Sequence, residues 1–299
     1  MEVTVEDRQD ARRHLALASP AILIMVILGL IPLAVVIAYS FMVPADYGGV
    51  VPKFSLESYI SLLFQRDIFD DTLSFSGDYL EIYARTAIFG AITTALCLLV
   101  GFPTAYFMAT RPKATRNLWV LLVTIPFWSN LLVRTIAVMF IIRDEGLINS
   151  ILLDLGVIGH PITMLYTNFA ILLGLVYSFV PFMILPIYAS LEKFDFRLAE
   201  AGFDLYATRF QVLTCIIIPL AKPGIITGAI LVFVPSFGAY VTPLLLGGGS
   251  HLMIGDLIAL QFGSSRNWPL GSAFSIVLMV IIMLAVLLQI RRSGQVRHG

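Results

Sequence analysis

Charged residues are scarce in this sequence. Only 13% of its 299 residues are Asp, Glu, Lys or Arg, and 59% are hydrophobic, whereas soluble domains carry about 25% charged residues. This scarcity excludes an ordinary soluble domain and indicates an integral membrane protein. The formal net charge is zero, so bulk charge offers no attraction to nucleic acid, and we expect none as a partner.

Residues that bind metals or phosphates are also few. The two cysteines, Cys97 and Cys215, are far apart in the sequence, and we interpret both as small buried hydrophobes. No Gly-Lys pair occurs, so the chain lacks the glycine-rich loop that cradles phosphates. We therefore expect no metal and no cofactor, and any ATP must be bound by a partner subunit.

Apolar stretches long enough to cross a bilayer occur six times. A hydrocarbon core of ~30 Å requires about 20 apolar residues per helix. The predicted spans are Pro20–Val43, Arg85–Ala109, Leu118–Ile142, Met164–Ala189, Pro223–Leu246 and Leu270–Ile290. We predict one all-α transmembrane domain over residues 1–299, with the first span retained rather than cleaved as a signal peptide.

Lys and Arg are distributed unevenly between the two sides of these spans. Thirteen fall on the side that holds the termini and residues 190–222, and five fall on the other. Because cytoplasmic loops carry an excess of Lys and Arg, we predict that both termini are cytoplasmic. The first outer loop, Pro44–Ile82, is acidic. It is either a solvated loop or a docking surface for a cationic ligand or its carrier.

Side chains for ion-coupled transport or catalysis are missing from the spans. All four histidines lie outside them, and no acidic residue lies in mid-span, since Asp256 falls in the last outer loop. A proton- or sodium-coupled carrier normally uses an intramembrane carboxylate. An intramembrane enzyme needs a cluster of catalytic side chains. These absences disfavour both classes, and the ion-coupled carrier remains the alternative function.

Arg134 is the one charge within a span. Its burial costs ~2.5–3.5 kcal/mol on insertion scales, so we expect a partner or a water-filled cavity. It either snorkels and pairs near the outer end of the span, or lines a transport path, with Asn130 one turn earlier on the same face. The fifth span, kinked by Pro235, either packs ordinarily or lines that path. The candidate path residues are Trp128, Asn130, Arg134, Phe233, Phe237 and Tyr240.

Residues Ser190–Lys222 form a polar interruption between two spans. Asp195 suits the N-cap of a helix over about Phe196–Leu205. The run Thr208-Arg209-Phe210-Gln211 is a capping box that begins a second helix. On the first helix, Leu198, Ala201, Gly202 and Leu205 share one face, opposite Arg197, Glu200 and Asp204. That face rests either on its own protein or on a partner.

This interruption resembles the EAA loop of ABC importer permeases. The matching residues are Glu200-Ala201-Gly202, Asp204-Leu205-Tyr206-Ala207, Ile216-Ile217-Ile218-Pro219 and Pro223-Gly224. In that family the loop forms a coupling helix that seats in a groove of the ATPase subunit. The resemblance implies this role for Leu198, Glu200, Ala201, Gly202, Asp204 and Leu205. Tyr206 stands where Gly is usual, at a C′ position whose positive φ costs other residues roughly 1 kcal/mol or more.

Further motifs are similar to the polyamine-type branch of that family, from about Arg85 to Gln289. They are Ile125-Pro126-Phe127-Trp128-Ser129-Asn130 with Arg134, Gly146-Leu147-Ile148-Asn149, Gly174-Leu175-Val176-Tyr177, Leu185-Pro186-Ile187-Tyr188, Leu191-Glu192-Lys193-Phe194-Asp195 and Arg266-Asn267-Trp268-Pro269. The resemblance implies a type I importer permease fold with six transmembrane helices in the bacterial inner membrane. It implies a non-enzymatic subunit that partners a second permease in a heterodimer, two ATPase subunits and a periplasmic solute-binding protein. The implied solute is small and cationic, such as putrescine or spermidine, or is opine-like.

Overall fold

Helices account for most of the chain. A computed structural model describes residues 5–66, 73–249 and 251–294. Its helices are α1 (Val5–Ser40), α2 (Glu57–Ile60), α3 (Asp78–Ala109), α4 (Lys113–Trp128), α5 (Leu131–Ile142), α6 (Leu147–Asp154), α7 (Asn168–Glu192), α8 (Arg197–Asp204), α9 (Arg209–Val212), α10 (Ile218–Phe237), α11 (Val241–Gly247), α12 (Ile254–Phe262) and α13 (Trp268–Gly294). A π-helical turn, Leu213–Ile217, joins α9 to α10.

The predicted six-span helical fold is confirmed. Five helical segments are long and apolar enough to cross a membrane: Leu23–Ser40, Asp78–Ala109, Asn168–Glu192, Arg209–Phe237 and Trp268–Leu288. A sixth span results when the bent pair Lys113–Trp128 and Leu131–Asp154 is counted as one. By internal packing the chain divides into two compact units, Met1–Ser76 with Leu260–Gly299, and Gly77–Ala259.

The third predicted span, Leu118–Ile142, is broken rather than continuous. The chain turns by 92° between Lys113–Trp128 and Leu131–Asp154. Ser129 and Asn130 are extended, and the Asn130 side chain accepts a hydrogen bond from the Leu132 N–H at 2.8 Å. Asn130 is therefore the N-cap of α5, and α4 ends before it at Trp128. Averaged hydropathy does not reveal such a break, because the break changes the backbone geometry while the average over the span stays apolar.

The fifth predicted span, Pro223–Leu246, begins earlier and is also interrupted. Helical structure runs without a gap from Arg209 to Phe237, through three prolines. A π turn precedes Pro219, and such a turn absorbs the register change that a proline without an N–H imposes. Residues 238–240 then separate α10 from α11. Cys215 lies in the π turn and is exposed, so its predicted burial is wrong, whereas Cys97 is buried.

The unit Gly77–Ala259 is built on α3, α7 and α10, which pack closely together. Glycines permit this packing. A side chain at Gly101 or Gly228 would meet Met183 within 3 Å, and one at Gly224 would meet the Pro186 carbonyl oxygen at 2.5 Å. Because no hydrophobic force draws helices together in lipid, their association depends on such close van der Waals packing.

The second predicted outer loop, between α5 and α7, is held by one buried amide. The Asn149 Nδ2 donates to the carbonyl oxygens of Arg143 and Ile162, and its Oδ1 accepts from the Ile162 N–H at 2.9 Å. The loop also contains the short helix α6, which begins at Leu147 and ends at Asp154. Asn149 thus has a structural role that its polarity alone did not reveal.

The other unit pairs α1 with α13 and carries the first loop. That loop contains two short antiparallel hairpins that were not predicted, β1 (Val43–Pro44) with β2 (Val50–Val51), and β3 (Phe64–Arg66) with β4 (Leu73–Phe75). Tyr39 and Trp268 stack with ring centroids 6.2 Å apart. Several acids of the loop, Asp67, Asp70 and Asp71, and residues 295–299 of the basic tail lie outside the described residues.

Candidate functional site

The candidate coupling loop begins close to its predicted position. Helix α8 covers Arg197–Asp204, one residue shorter at each end than the predicted helix. The Asp195 Oδ1 accepts a hydrogen bond from the Arg197 N–H at 3.1 Å, which satisfies a free donor of the first turn. Thr208 and Gln211 form the predicted capping box, with each side chain bonded to the other residue's backbone N–H.

The turn after α8 forces Tyr206 into a left-handed conformation. Its φ is 60°, one of few positive values outside glycine among the described residues. The Tyr206 N–H donates to the Phe203 carbonyl and the Ala207 N–H to the Gly202 carbonyl. These two bonds define a Schellman motif, in which the C′ residue is usually Gly. Tyr206 therefore keeps the turn geometry that the departure from Gly had put in question.

Gly202 faces its own chain. A side chain at this position would approach the Ile216 Cδ1 within 2.9 Å and the Val212 Cγ2 within 3.2 Å. Ala199, one turn earlier, is also buried. Gly202 therefore packs against its own chain, and the contact with an ATPase that the resemblance implies for it stays a prediction. Gly202 stands at the edge of the apolar arc of α8, and the helix is rotated so that this edge covers α9 and the π turn.

The remaining apolar arc of α8 is exposed. Leu198, Ala201 and Leu205 point away from the described chain, as do Glu200 and Asp204. Further large side chains of the loop are exposed, among them Phe203, Tyr206 and Phe210, and sequence reasoning had assigned none of them to an interaction surface. We call Leu198, Ala201, Leu205 and Tyr206 the α8 patch. So many exposed apolar side chains in one short loop indicate an interaction site.

The candidate path residues near the break of the third span separate into two groups. Arg134 is 9% exposed, and its Nε and Nη1 have no hydrogen-bond partner in the described part of the chain. Arg134 is therefore covered by its own chain. Asn130 and Trp128 are exposed. The Asn130 side chain caps α5, where its Oδ1 accepts a hydrogen bond from the Leu132 N–H.

The candidate aromatic residues of α10 are packed rather than free. Phe233 and Phe237 contact each other, with ring centroids 4.9 Å apart. Both rings lie over Gly90 of α3, where a side chain would meet them at 3.3–3.4 Å. Phe237 is fully buried in this conformation, whereas Tyr240 is half-exposed, and contact of either ring with a solute stays a prediction. The missing side chain of Gly90 is what admits the two rings.

Asp256 is buried, although the sequence placed it in a solvated outer loop. It lies in the first turn of α12 and is 3% exposed. Its Oδ2 accepts a hydrogen bond from the Met253 N–H at 3.1 Å, and its Oδ1 is buried with no partner in the described part of the chain. Burial raises the pKa of the Asp256 carboxyl to about 7, against the opposing effect of the Met253 hydrogen bond.

Neighbouring bonds tie this carboxylate to the helical unit. The Ile254 N–H donates to the Thr86 Oγ1 of α3 at 2.9 Å. Gly255 lies so close to the Ala239 carbonyl oxygen that a side chain would be 2.5 Å from it. Met253 packs in a cluster with Phe89, Ile171 and Leu175. No sequence signal marked Asp256, because the flanking glycines and polar residues read as an ordinary loop.

Comparison with known proteins defines the class of this chain. Residues 98–293 match the family described as binding-protein-dependent transport system inner membrane component. The chain belongs to that family and is a permease subunit of an ABC importer.

Individual relatives are similar to this chain over most of its length. The spermidine/putrescine transport system permease protein PotB of Escherichia coli is 38% identical over 90% of this chain and 94% of its own length. PotB of Haemophilus influenzae is 37% identical over 88% of each chain. A subunit of the crystal structure of a bacterial alginate ABC transporter, in complex with a pentasaccharide-bound periplasmic protein, superposes with a TM-score of 0.70. At 17% identity over 100% of this chain and 99% of that one, it supports the fold alone.

Proposed function

We propose that this chain is the permease through which an ATP-driven importer moves polyamines such as spermidine and putrescine. The observation that carries the proposal is the 38% identity to a spermidine/putrescine permease, sustained over nine-tenths of both chains. A match over nine-tenths of the chain extends far beyond the loop that contains α8. Local motif similarity would not reach so far.

The proposed assembly contains a second permease, two ATPase subunits and a periplasmic solute-binding protein. With both termini in the cytoplasm, as the distribution of Lys and Arg favours, the α8 patch faces the ATPase side. ATP binding by the partner subunits would draw these together and move α8 with them. Because α9 and the π turn continue into α10, displacement of α8 would be transmitted directly to a transmembrane helix.

The solute is tested by uptake into vesicles that contain the whole complex. With binding protein and ATP supplied, radiolabelled spermidine should accumulate, and unlabelled putrescine should compete for entry. An anionic solute of similar size should not compete. Accumulation of no polyamine, by vesicles whose ATPase is stimulated by another loaded binding protein, would contradict the proposed solute while leaving the family assignment intact.

A further inference from the structure

Asp256 is a buried acid without a cationic partner. Among the described residues it is the only Asp or Glu that is buried, and none of the ion pairs found there includes it. Burying a carboxylate is costly unless it is paired and hydrogen-bonded. One of its oxygens is bonded to Met253 and the other is not. The resting structure therefore leaves half of this carboxylate unsatisfied.

Helix capping does not account for the charge. The bond from the Met253 N–H to the Asp256 Oδ2 spans three residues and closes the first turn of α12. A neutral side-chain oxygen, such as that of Asn, also accepts this bond, although more weakly than a carboxylate does. The cap thus requires an oxygen atom, whereas the cost of burial arises from the ionised group. Capping therefore does not explain why a group that can ionise is buried at this position.

The position of Asp256 provides a reason. The residues around it connect α12 to α3 through Thr86, and to the break after α10 through Ala239. Interrupted helices in transporters expose polar groups where a solute passes. Met253, whose N–H caps the carboxylate, packs against Phe89, and an aromatic face also attracts a cation. A carboxylate at this position can accept a hydrogen bond from an ammonium group.

We propose that Asp256 is a solute-binding residue whose free Oδ1 accepts a hydrogen bond from an ammonium group of the transported amine. The proposal rests on the proposed function, since it requires a cationic solute. In the present conformation the carboxylate is closed off. The amine reaches it when rearrangement of the helical unit parts α12 from α3, and the carboxylate is buried again after the amine has left.

The test measures spermidine transported per ATP hydrolysed in vesicles that contain the whole complex and saturating binding protein. Asp256→Asn keeps the shape and an oxygen for the Met253 N–H, but removes the charge. It should lower this ratio about tenfold, the loss expected for one charge-assisted hydrogen bond. Asp256→Glu should recover part of the ratio. Asp154→Asn, the same change at an exposed acid in α6, should leave it unaltered.

The outcomes separate binding from structure. A wild-type ratio in Asp256→Asn would overturn the proposal, as would equal losses of uptake and ATP hydrolysis in both Asp256→Asn and Asp256→Ala. Should Asp256→Asn fail to assemble, the wild-type complex is treated with an apolar carbodiimide, which modifies buried carboxyls. With ATP turnover in both samples, spermidine should slow the modification of Asp256 relative to turnover without it, and no slowing would also overturn the proposal. Wild-type vesicles that take up no spermidine would refute the proposed function instead.

Discussion

Tyr206 holds a backbone conformation that a non-glycine residue adopts only at a cost. Its φ is 60° while its side chain is 97% exposed, so the ring gains no internal packing that would offset this strain. Tyr206→Gly should therefore raise the free energy of unfolding by ~1 kcal/mol. The measurement is thermal unfolding of the purified complex. Ala207→Gly, at the next position, should not stabilise, because Ala207 is not among the residues with positive φ.

If Tyr206→Gly gained stability but lost ATPase co-purification, the strain would be explained by contact with the partner. A destabilised Tyr206→Gly would instead show that the ring has internal contacts, in conflict with its exposure.

The inward orientation of Gly202 predicts a specific rescue. Gly202→Ala should be destabilising by about 1 kcal/mol through overpacking, because its added methyl would lie 2.9 Å from the Ile216 Cδ1. Ile216→Val removes that methyl, and the double variant should recover most of the loss. Thermal unfolding of the two single variants and the double variant measures this coupling. Strict additivity would mean that Gly202 does not face Ile216.

Asp256 should make the stability of the complex depend on pH. Burial raises the pKa of Asp256 in the folded protein to about 7. The stability that its protonated form contributes is therefore complete at pH values below the pKa of the unfolded chain, and it is lost as the pH rises through about 7. Asp256→Asn cannot ionise, so its advantage in unfolding free energy over the wild type should grow by roughly 1–3 kcal/mol between pH 5 and pH 8. The exposed Asp154→Asn is the control, with a difference that stays flat. An advantage that shrank with pH would show that the ionised form is stabilised.

At the scale of elements, the α8 patch is the surface that should dock. Leu205→Glu and Leu198→Glu place charge on exposed apolar positions, so they should spare folding and membrane insertion while reducing ATPase co-purification about tenfold or more. Leu155→Glu changes an equally exposed leucine that follows α6 on the predicted outer side, and it should have no effect. Co-purification that survives both α8 variants would contradict docking by this patch.

Elements were predictable from sequence where the determining contacts are local. The capping box Thr208–Gln211 was predicted correctly because both of its partners lie within four residues. The six apolar stretches were recognisable because span length depends on hydrophobic run length. The break at Ser129–Asn130 was missed, since one polar cap in an apolar run does not lower the average hydropathy enough to notice.

Contacts between distant elements account for the other features that were not predictable. The orientation of Gly202 depends on Val212 and Ile216, and no periodicity within α8 specifies which part of its apolar arc faces them. Asp256 is buried because Ile254 bonds to Thr86, which is 168 residues away in the chain. Phe237 is buried because Gly90 is opposite. In each case the partner is remote in sequence, and a single sequence does not show which residues of two distant helices contact each other.

For the whole molecule, the energy source of transport separates an ABC importer from an ion-coupled carrier. The direct measurement is spermidine uptake into vesicles containing the complete complex and loaded binding protein, with ATP and with ion gradients imposed separately. The account predicts uptake that requires ATP, persists after ionophores collapse all gradients, and stops when the ATPase is inhibited. Uptake that a proton or sodium gradient sustains without ATP would contradict it.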